Sequence, residues 1–121
     1  MTTSEIATVL AWHDALNEQD FDTLVALSSD DIEVGDAKGA AQGHTALLDW
    51  VRSAGIKAEP GRMYVHDGVV VVEQAITSTA GNTTAAAAFR VVRDHITSVF
   101  RHPDLATALA ATELTEKDFV G

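Results

Sequence analysis

Apolar residues in the first half of the chain recur at steps of three and four positions, which predicts amphipathic helices. The first helix is predicted to run around Trp12, and Asp20 is predicted to cap a short second helix. A third helix is predicted to begin after Gly43 and to end at Gly55. Between the last two helices, Ile32 to Val34 is predicted as a brief strand, followed by a loop with the sequence GDAKGAAQG.

From Pro60 onward the pattern changes to the alternation that is typical of β-strands. Asp67-Gly68 predicts a hairpin, and strands are predicted over residues 69–79, 83–93 and 96–102, with Asp94-His95 as the last tight connection. A short helix is predicted over 105–111, and the final ten residues are predicted as a polar tail. Helices followed by an antiparallel meander predict one α+β domain over residues 1–121, with the helices on one face of a curved sheet.

The charge balance narrows the classes of partner. Eight basic and 18 acidic residues give a net charge of −10, which argues against nucleic acid and anionic membrane surfaces. The chain has no cysteine, so disulfides, thiolate nucleophiles and cysteine-ligated metals are excluded. The N-terminal residues lack a basic region and the apolar runs are short, so we expect no signal peptide, no membrane span and a cytoplasmic location.

Asp36 is the residue whose position raises a functional question. It stands where the alternation of Ile32 and Val34 would place the next inward-facing apolar residue. In one interpretation the strand has ended and Asp36 is a solvated turn residue, because aspartate beside glycine is common in turns. In the other, its carboxylate faces a pocket and acts there. The pattern alone leaves both interpretations open.

Three segments carry a resemblance to the nuclear transport factor 2-like superfamily, namely WHDALNEQDFDTLVALSSDDIEV, GHTALLDWV and FRVVRDHITSVFRHPD. The resemblance covers residues 5 to 111. That superfamily includes ketosteroid isomerases, SnoaL-like polyketide cyclases and limonene epoxide hydrolases. The resemblance implies a cone-shaped α+β barrel, in which N-terminal helices pack on a curved, mainly antiparallel sheet around an apolar interior.

The ketosteroid isomerase pattern, aligned without gaps, places Asp36 at the position of the general-base aspartate. The resemblance therefore implies that role for Asp36, since a carboxylate desolvated in an apolar barrel acquires a raised pKa and becomes a usable base. The donors of the oxyanion hole are missing, because Trp12 and Ala88 stand in their places and Val51 replaces a supporting tyrosine. Ketosteroid isomerisation itself is therefore not expected.

The polyketide cyclase pattern places a second carboxylate, Asp104, at the position of an acid/base aspartate. The spacing from Ile96 to Asp104 and the following LATALAA segment match that pattern, although the hairpin turn lacks its usual glycine. The alternative is that Asp104 only caps the helix that follows Pro103. His102 is either a proton shuttle beside Asp104 or an interface residue.

Aromatic and basic residues are the candidates for substrate contacts. Trp12, Trp50 and Tyr64 are candidate pocket walls, with the apolar core as their alternative. If Arg93 pairs with Ile96, one sheet face carries Ala88, Arg90, Val92, Val99 and Arg101, and the other carries Phe89, Val91, Ser98, Phe100 and His102. The resemblance implies that the arginine face lines the cavity, where Arg90 and Arg101 would hold an anionic group, and that Phe89 and Phe100 lie in a homodimer interface. A bulge would exchange these faces.

The expected function is a SnoaL-like small-molecule-binding protein for an apolar or polycyclic ligand. As an enzyme it would be a cofactor-free isomerase, cyclase or hydrolase that transfers protons through a pocket aspartate. The alternative is a non-catalytic ligand-binding or dimerisation module of the same fold. The five histidines show no metal-ligand spacing, so neither a metal nor another cofactor is expected.

Overall fold

The computed structural model describes residues 2–36, 38–54, 57–78 and 81–120. The helices are α1 (Thr2–Asn17), α2 (Phe21–Ala26), α3 (His44–Ala54) and α4 (Leu105–Thr112), with one 3₁₀ turn at Glu116–Asp118. The strands are β1 (Ser28–Asp36), β2 (Gly39–Gln42), β3 (Lys57–His66), β4 (Val69–Ser78), β5 (Gly81–Val92), β6 (His95–His102) and β7 (Phe119–Val120). The predicted positions Gly55 and Thr79 lie outside the described residues.

One seven-stranded sheet organises the molecule, in the order β2-β1-β6-β5-β4-β3-β7. Strand β1 runs parallel to β6, and the other described pairs are antiparallel. The sheet is curved and open, and the predicted α+β class with a mainly antiparallel sheet is confirmed.

The two faces of the sheet are covered differently. We call the face under α1 and α3 the inner face, and it carries the larger apolar core, with Trp12, Leu47 and Phe89 among its most buried side chains. Helix α4 packs on the opposite, outer face over β4 and β5, where it buries a smaller cluster around Tyr64 and Leu114. The apolar surface of the sheet is thus divided between two cores.

The region around Asp36 is more ordered than the sequence predicts. Strand β1 extends to Asp36, and the predicted GDAKGAAQG loop contains β2, which pairs antiparallel with β1 so that Asp36 faces Gly39. Gly35 permits this close approach, because a Cβ atom there would lie 2.5 Å from the carbonyl oxygen of Gly39. The carboxylate of Asp36 is therefore held at the end of a paired strand.

The connection between β5 and β6 differs by one residue from the predicted one. Arg93 and Asp94 both have positive φ and form the turn, so that Val92 pairs with His95. A register shift follows at Arg90, which pairs with Ser98. Since a one-residue slip inverts the side chains relative to the partner strand, the predicted grouping of faces is wrong for β5.

The C-terminal residues are not a free polar tail. Strand β7 pairs with β3 at Met63 and Tyr64, and the preceding 3₁₀ turn carries a capping box between Thr115 and Asp118. The segment covers part of the β3 edge, which would otherwise expose unpaired backbone groups.

Candidate functional site

Asp36 and Arg101 come together on the inner face of two neighbouring strands. In the parallel pairing of β1 and β6, Val34 lies opposite Val99 and Gly35 opposite Phe100. Side chains alternate along a strand, so Asp36 shares the face of Val34, and Arg101 shares the face of Val99. Burial lowers the pKa of Arg101, and the negative charge of Asp36 acts in the opposite direction. The two residues therefore bring opposite charges to the same region of the inner face.

The guanidinium group of Arg101 lies against an aromatic ring but is not fully satisfied. Its Cζ atom is 5.0 Å from the centroid of the Trp50 ring on α3, which is the geometry of a cation–π contact. Its buried Nε has no hydrogen-bond partner among the described residues. A planar donor group fixed on an indole and left with an unused N–H is suited to bind a carboxylate or another anion.

Asp36 borders a shallow pocket of ≈ 400 Å³ between α3 and the β1–β2 hairpin. Trp50 and Ala46 form one side of this pocket, and small residues of β2 form much of the other. Asp36 is exposed, and its Oδ1 accepts a 2.8 Å hydrogen bond from the backbone N–H of Lys38. The side chain thus belongs both to the inner face and to a local turn, which combines features of the two interpretations of the sequence.

A second polar pair, which the sequence interpretation missed, lies deep in the inner core. His13 on α1 is fully buried, and its Nδ1 lies 2.8 Å from the carbonyl oxygen of Val9. A carbonyl only accepts, so Nδ1 carries a proton and donates to it. Burial lowers the pKa of His13, which therefore is neutral, and its Nε2 accepts a 2.9 Å hydrogen bond from the side-chain amide of Gln74 on β4.

The sequence gives only weak indications of the pair formed by His13 and Gln74. His13 falls within the apolar stripe of the first helix, and Gln74 occupies an inward position between Val72 and Ile76. The ring of His13 packs against Phe89 with centroids 5.3 Å apart, as a core residue would. Only the structure shows that the two polar side chains meet.

Comparison with known proteins identifies the relatives of this chain. The family model for the SnoaL-like domain matches residues 9–105. The chain belongs to the SnoaL-like family. No curated protein matches the sequence of this SnoaL-like chain.

Solved structures with the same fold share little sequence with the SnoaL-like chain. A nuclear transport factor 2-like protein of unknown function from Cytophaga hutchinsonii has a TM-score of 0.75 at 16% identity, covering 87% of this chain and 94% of that one. A proposed polyketide cyclase from Sinorhizobium meliloti has a TM-score of 0.72 at 22% identity, covering 79% and 94%. A proposed ketosteroid isomerase from Kribbella flavida has a TM-score of 0.75 at 14% identity, covering 82% and 76%. These similarities establish the fold alone.

We call the end of the inner face at Asp36, Trp50 and Arg101 the mouth of the SnoaL-like fold. Two of the three aromatic candidates lie away from it. Trp12 is buried in the inner core, where its Nε1–H donates a 3.3 Å hydrogen bond to Ser28 Oγ. Tyr64 faces the outer side of the sheet beneath α4, and its ring lies 5.3 Å from that of Phe119. Tyr64 therefore lies on the face opposite to Asp36 and packs in a buried cluster there, in line with the alternative interpretation as a core residue. Trp50 alone of the three reaches the mouth.

Asp104 is the N-cap of α4 in the SnoaL-like chain. Its side chain is exposed, and Oδ1 accepts a 2.7 Å hydrogen bond from the backbone N–H of Thr107. The bonds from Thr107 lower the pKa of Asp104, and His102 adds a smaller effect in the same direction. A general acid near neutral pH requires a raised pKa, so this environment supports the capping interpretation.

The remaining candidates lie on the outer face. Arg90, Phe100 and His102 line a groove of ≈ 530 Å³ beside α4, together with Ser98 and Glu33. The expected inward position of Arg90 is wrong, and so is the expected outward position of Phe89, whose buried ring belongs to the inner core. The shifted β5–β6 register explains both corrections, whereas Arg101 and Phe100 lie on their expected faces.

Within residues 2–36, 38–54, 57–78 and 81–120, no group of three or more histidine, aspartate or glutamate side chains is arranged to hold a metal ion. None of the helices in these ranges is long and apolar enough to cross a membrane.

The buried neutral state of His13 predicts a pH dependence of stability. Because its pKa is lower in the folded than in the unfolded chain, its contribution is present above the ordinary value of 6.5 and is lost as the pH falls below it. We expect the free energy of unfolding to decrease there, with a slope approaching about 1.4 kcal/mol per pH unit. Urea unfolding measured between about pH 5 and pH 8, in steps of about half a pH unit, would show this decrease.

The matched controls are His13→Gln and His95→Gln. His95 is exposed at the start of β6, so its variant should keep the slope of the unmodified chain, whereas His13→Gln should lose it. Equal slopes in the two variants would contradict the assignment.

Proposed function

We propose that the chain binds a small, largely apolar molecule through an anionic group held by Arg101 at the mouth of the barrel. The observation that carries this proposal is the buried Nε of Arg101, which has no hydrogen-bond partner among the described residues. A buried donor without a partner costs free energy, and an acceptor group of a ligand would relieve that cost.

The electrostatic setting supports an anionic ligand. Removing a guanidinium group from water is costly unless a counter-charge is near, and the carboxylate that acts on Arg101 is that of Asp36, which is exposed and bonded to the turn at Lys38. Within a chain of net charge −10, Arg101 is a local positive centre on the inner face. A bound carboxylate would pair with it directly.

Trp50 supports an apolar or aromatic body for this ligand. Its indole is half-buried, borders the pocket beside Asp36 and already orients the guanidinium group. Flat apolar molecules favour such walls, where stacking adds to the burial of apolar surface.

Arg101→Met is expected to weaken binding of aromatic carboxylates at least tenfold, because a hydrogen bond to a charged group contributes about 1.5–3 kcal/mol. Benzoate, phenylacetate and cinnamate are suitable probes, with affinities measured by NMR shift titration. Arg62→Met is the matched control, since Arg62 is exposed on β3 and pairs with Glu73. Equal affinities in the two variants would contradict an anion site at Arg101.

We propose proton transfer by Asp36 as the second candidate function, favoured by its position next to Arg101. The carboxylate would remove a proton from a carbon beside a carbonyl, and the electron pair would move to the carbonyl oxygen as an enolate. Arg101 would stabilise that negative charge, and Asp36 would return the proton to the γ-carbon of the conjugated enolate. The sum is an isomerisation without a cofactor.

The positions that the resemblance assigns to the oxyanion hole of a ketosteroid isomerase do not support this chemistry, because they offer the substrate no hydrogen-bond donor. The indole N–H of Trp12 already donates to Ser28 Oγ. Ala88 faces the outer side of the sheet, and Ala87, which stands on the inner face in its place, has no donor group in its side chain. Arg101 is therefore the cationic group on which the proposed enolate would depend, and the reaction would be slower than with a full oxyanion hole.

Asp36→Asn provides the test for proton transfer. With cyclohex-3-en-1-one in D₂O, we expect the unmodified chain to accelerate exchange of the protons beside the carbonyl, and the variant to lose about 10²-fold or more of that acceleration. Exchange is followed by proton NMR, with Asp14→Asn on exposed α1 surface as control. Undiminished exchange in Asp36→Asn, or no acceleration by the unmodified chain, would leave a binding protein without this chemistry.

We also propose that the outer face forms a homodimer through the groove at Phe100. The groove combines apolar surface with both charge signs, since its lining includes Arg90 as well as Glu33 and Glu113. Two copies related by a two-fold axis can pair opposite charges across such a patch. The balance of positive and negative side chains in the groove would offset the repulsion between two chains that each carry a net charge of −10.

Phe100→Glu is expected to convert the dimer into a monomer, because it places a charge in the apolar part of the interface. The molar mass in solution, from sedimentation or light scattering, checks this outcome. Leu10→Glu is the control, since Leu10 is 39% exposed on α1, away from the groove. A monomeric unmodified chain, or a Phe100→Glu variant that remains dimeric, would contradict the proposed interface.

A further inference from the structure

Gln74 presents a buried acceptor that nothing in the described structure satisfies. Its side chain stands on the inner face of β4 and is 3% exposed. The amide nitrogen donates to His13 Nε2, whereas Oε1 has no hydrogen-bond partner among the described residues. An amide oxygen in the apolar core is costly unless a donor reaches it.

The orientation of this amide is fixed by its neighbour. The bond from Nδ1 of His13 to the carbonyl oxygen of Val9 leaves Nε2 as an acceptor, so only the NH₂ group of Gln74 can face it. Rotation of the amide by 180° would place two acceptors in contact. The Oε1 atom is therefore held on the side of the amide that faces away from His13.

A second unpaired atom lies on the same face of the sheet. Of the three buried side-chain atoms that lack partners in the described ranges, Ser29 Oγ, Gln74 Oε1 and Arg101 Nε, the last two share the inner face. Gln74 pairs with Ala85 and Arg101 pairs with Ala87, so the positions of β5 between them carry only methyl groups. From strand geometry their Cα atoms are roughly 12 Å apart, two strands across and two residues along.

The two atoms have opposite hydrogen-bonding character. Arg101 Nε donates and carries positive charge, whereas Gln74 Oε1 accepts and is neutral. A molecule that satisfies both has an anionic group at one end, a hydroxyl or N–H donor at the other, and an apolar body of about one ring and a short chain between them. We propose that Gln74 is the residue that selects hydroxylated aromatic acids over their unhydroxylated counterparts, an inference that rests on the proposed anion site at Arg101.

His13 is a positioning residue in this arrangement, because it acts on the ligand only through Gln74. The competing explanation is a buried water that donates to Oε1, as is common for interior polar groups. A water would satisfy Gln74 without giving it any role in choosing a ligand, and the two explanations therefore predict different affinities.

The experiment compares three matched pairs of acids: benzoate with 4-hydroxybenzoate, phenylacetate with 4-hydroxyphenylacetate, and cinnamate with 4-hydroxycinnamate. We expect at least one hydroxylated acid to bind the unmodified chain about tenfold more tightly than its partner. Gln74→Met should reduce that ratio to about one, while Gln19→Met, at an exposed position after α1, should leave it unchanged. NMR shift titration gives both affinities.

A second readout does not depend on the variant being folded. In the unmodified chain, the side-chain amide signals of Gln74 and the ring nitrogen signals of His13 should move on adding the hydroxylated acid and stay in place with the unhydroxylated one. Equal affinities within every pair, an unchanged ratio in Gln74→Met, or an amide signal insensitive to the hydroxyl would overturn the inference. When both acids of a pair bind equally and Arg101→Met weakens both, only the role of Gln74 fails. When no acid binds, the anion site fails and the inference fails with it.

Discussion

The register of β6 between β1 and β5 is the constraint on which the mouth of this barrel depends. It places Val99 and Arg101 on the inner face, and Phe100 on the outer one. A slip of one residue would send Arg101 to the outer groove and Phe100 into the mouth, because side chains alternate with a period of two. The turn at Arg93-Asp94 and the irregularity after it set this register, so a connection far from the mouth determines which charge lies there.

Periodicity was sufficient to predict the four helices, the main strands and the α+β class, since these depend on many residues at once. Single-residue details were beyond it. Phe89 and Arg90 lie on the faces opposite to those predicted, because β6 contains one extra residue at the register shift. Such an insertion changes no pattern of apolar and polar residues in the sequence. Strand β2 was taken for a loop because Gly39 to Gln42 has no apolar alternation. It is an exposed edge strand, and its pairing follows from the glycine at position 35 rather than from burial.

The candidate carboxylates illustrate why a residue type at a familiar spacing does not define its chemistry. Asp104 follows the spacing of an acid/base aspartate, but the same spacing places it before a helix, whose free N–H groups bind and stabilise its charge. Asp36 lies at a strand end beside a cation instead. The difference lies in the partners that tertiary structure supplies, and these partners are not encoded in the neighbouring residues.

The inner face has kept the shape of the family while its polar groups lie elsewhere. Trp12 donates its indole N–H to Ser28 and Ala88 faces the outer side, so neither offers an oxyanion donor to the interior. Among the described residues, the unpaired buried polar atoms of the inner face are Gln74 Oε1 and Arg101 Nε. A fold shared at 14–22% identity therefore carries no assignment of these residues. Under the proposed function, the cation held against an indole would bind the charged end of a ligand, and the fixed amide oxygen would distinguish a ligand that carries a hydrogen-bond donor from one that does not. In such a site, affinity would come mainly from Arg101 and Trp50, and selectivity would come from Gln74. A buried acceptor that is left without a donor costs more free energy than a satisfied one contributes, so Gln74 would mainly disfavour ligands that lack a donor.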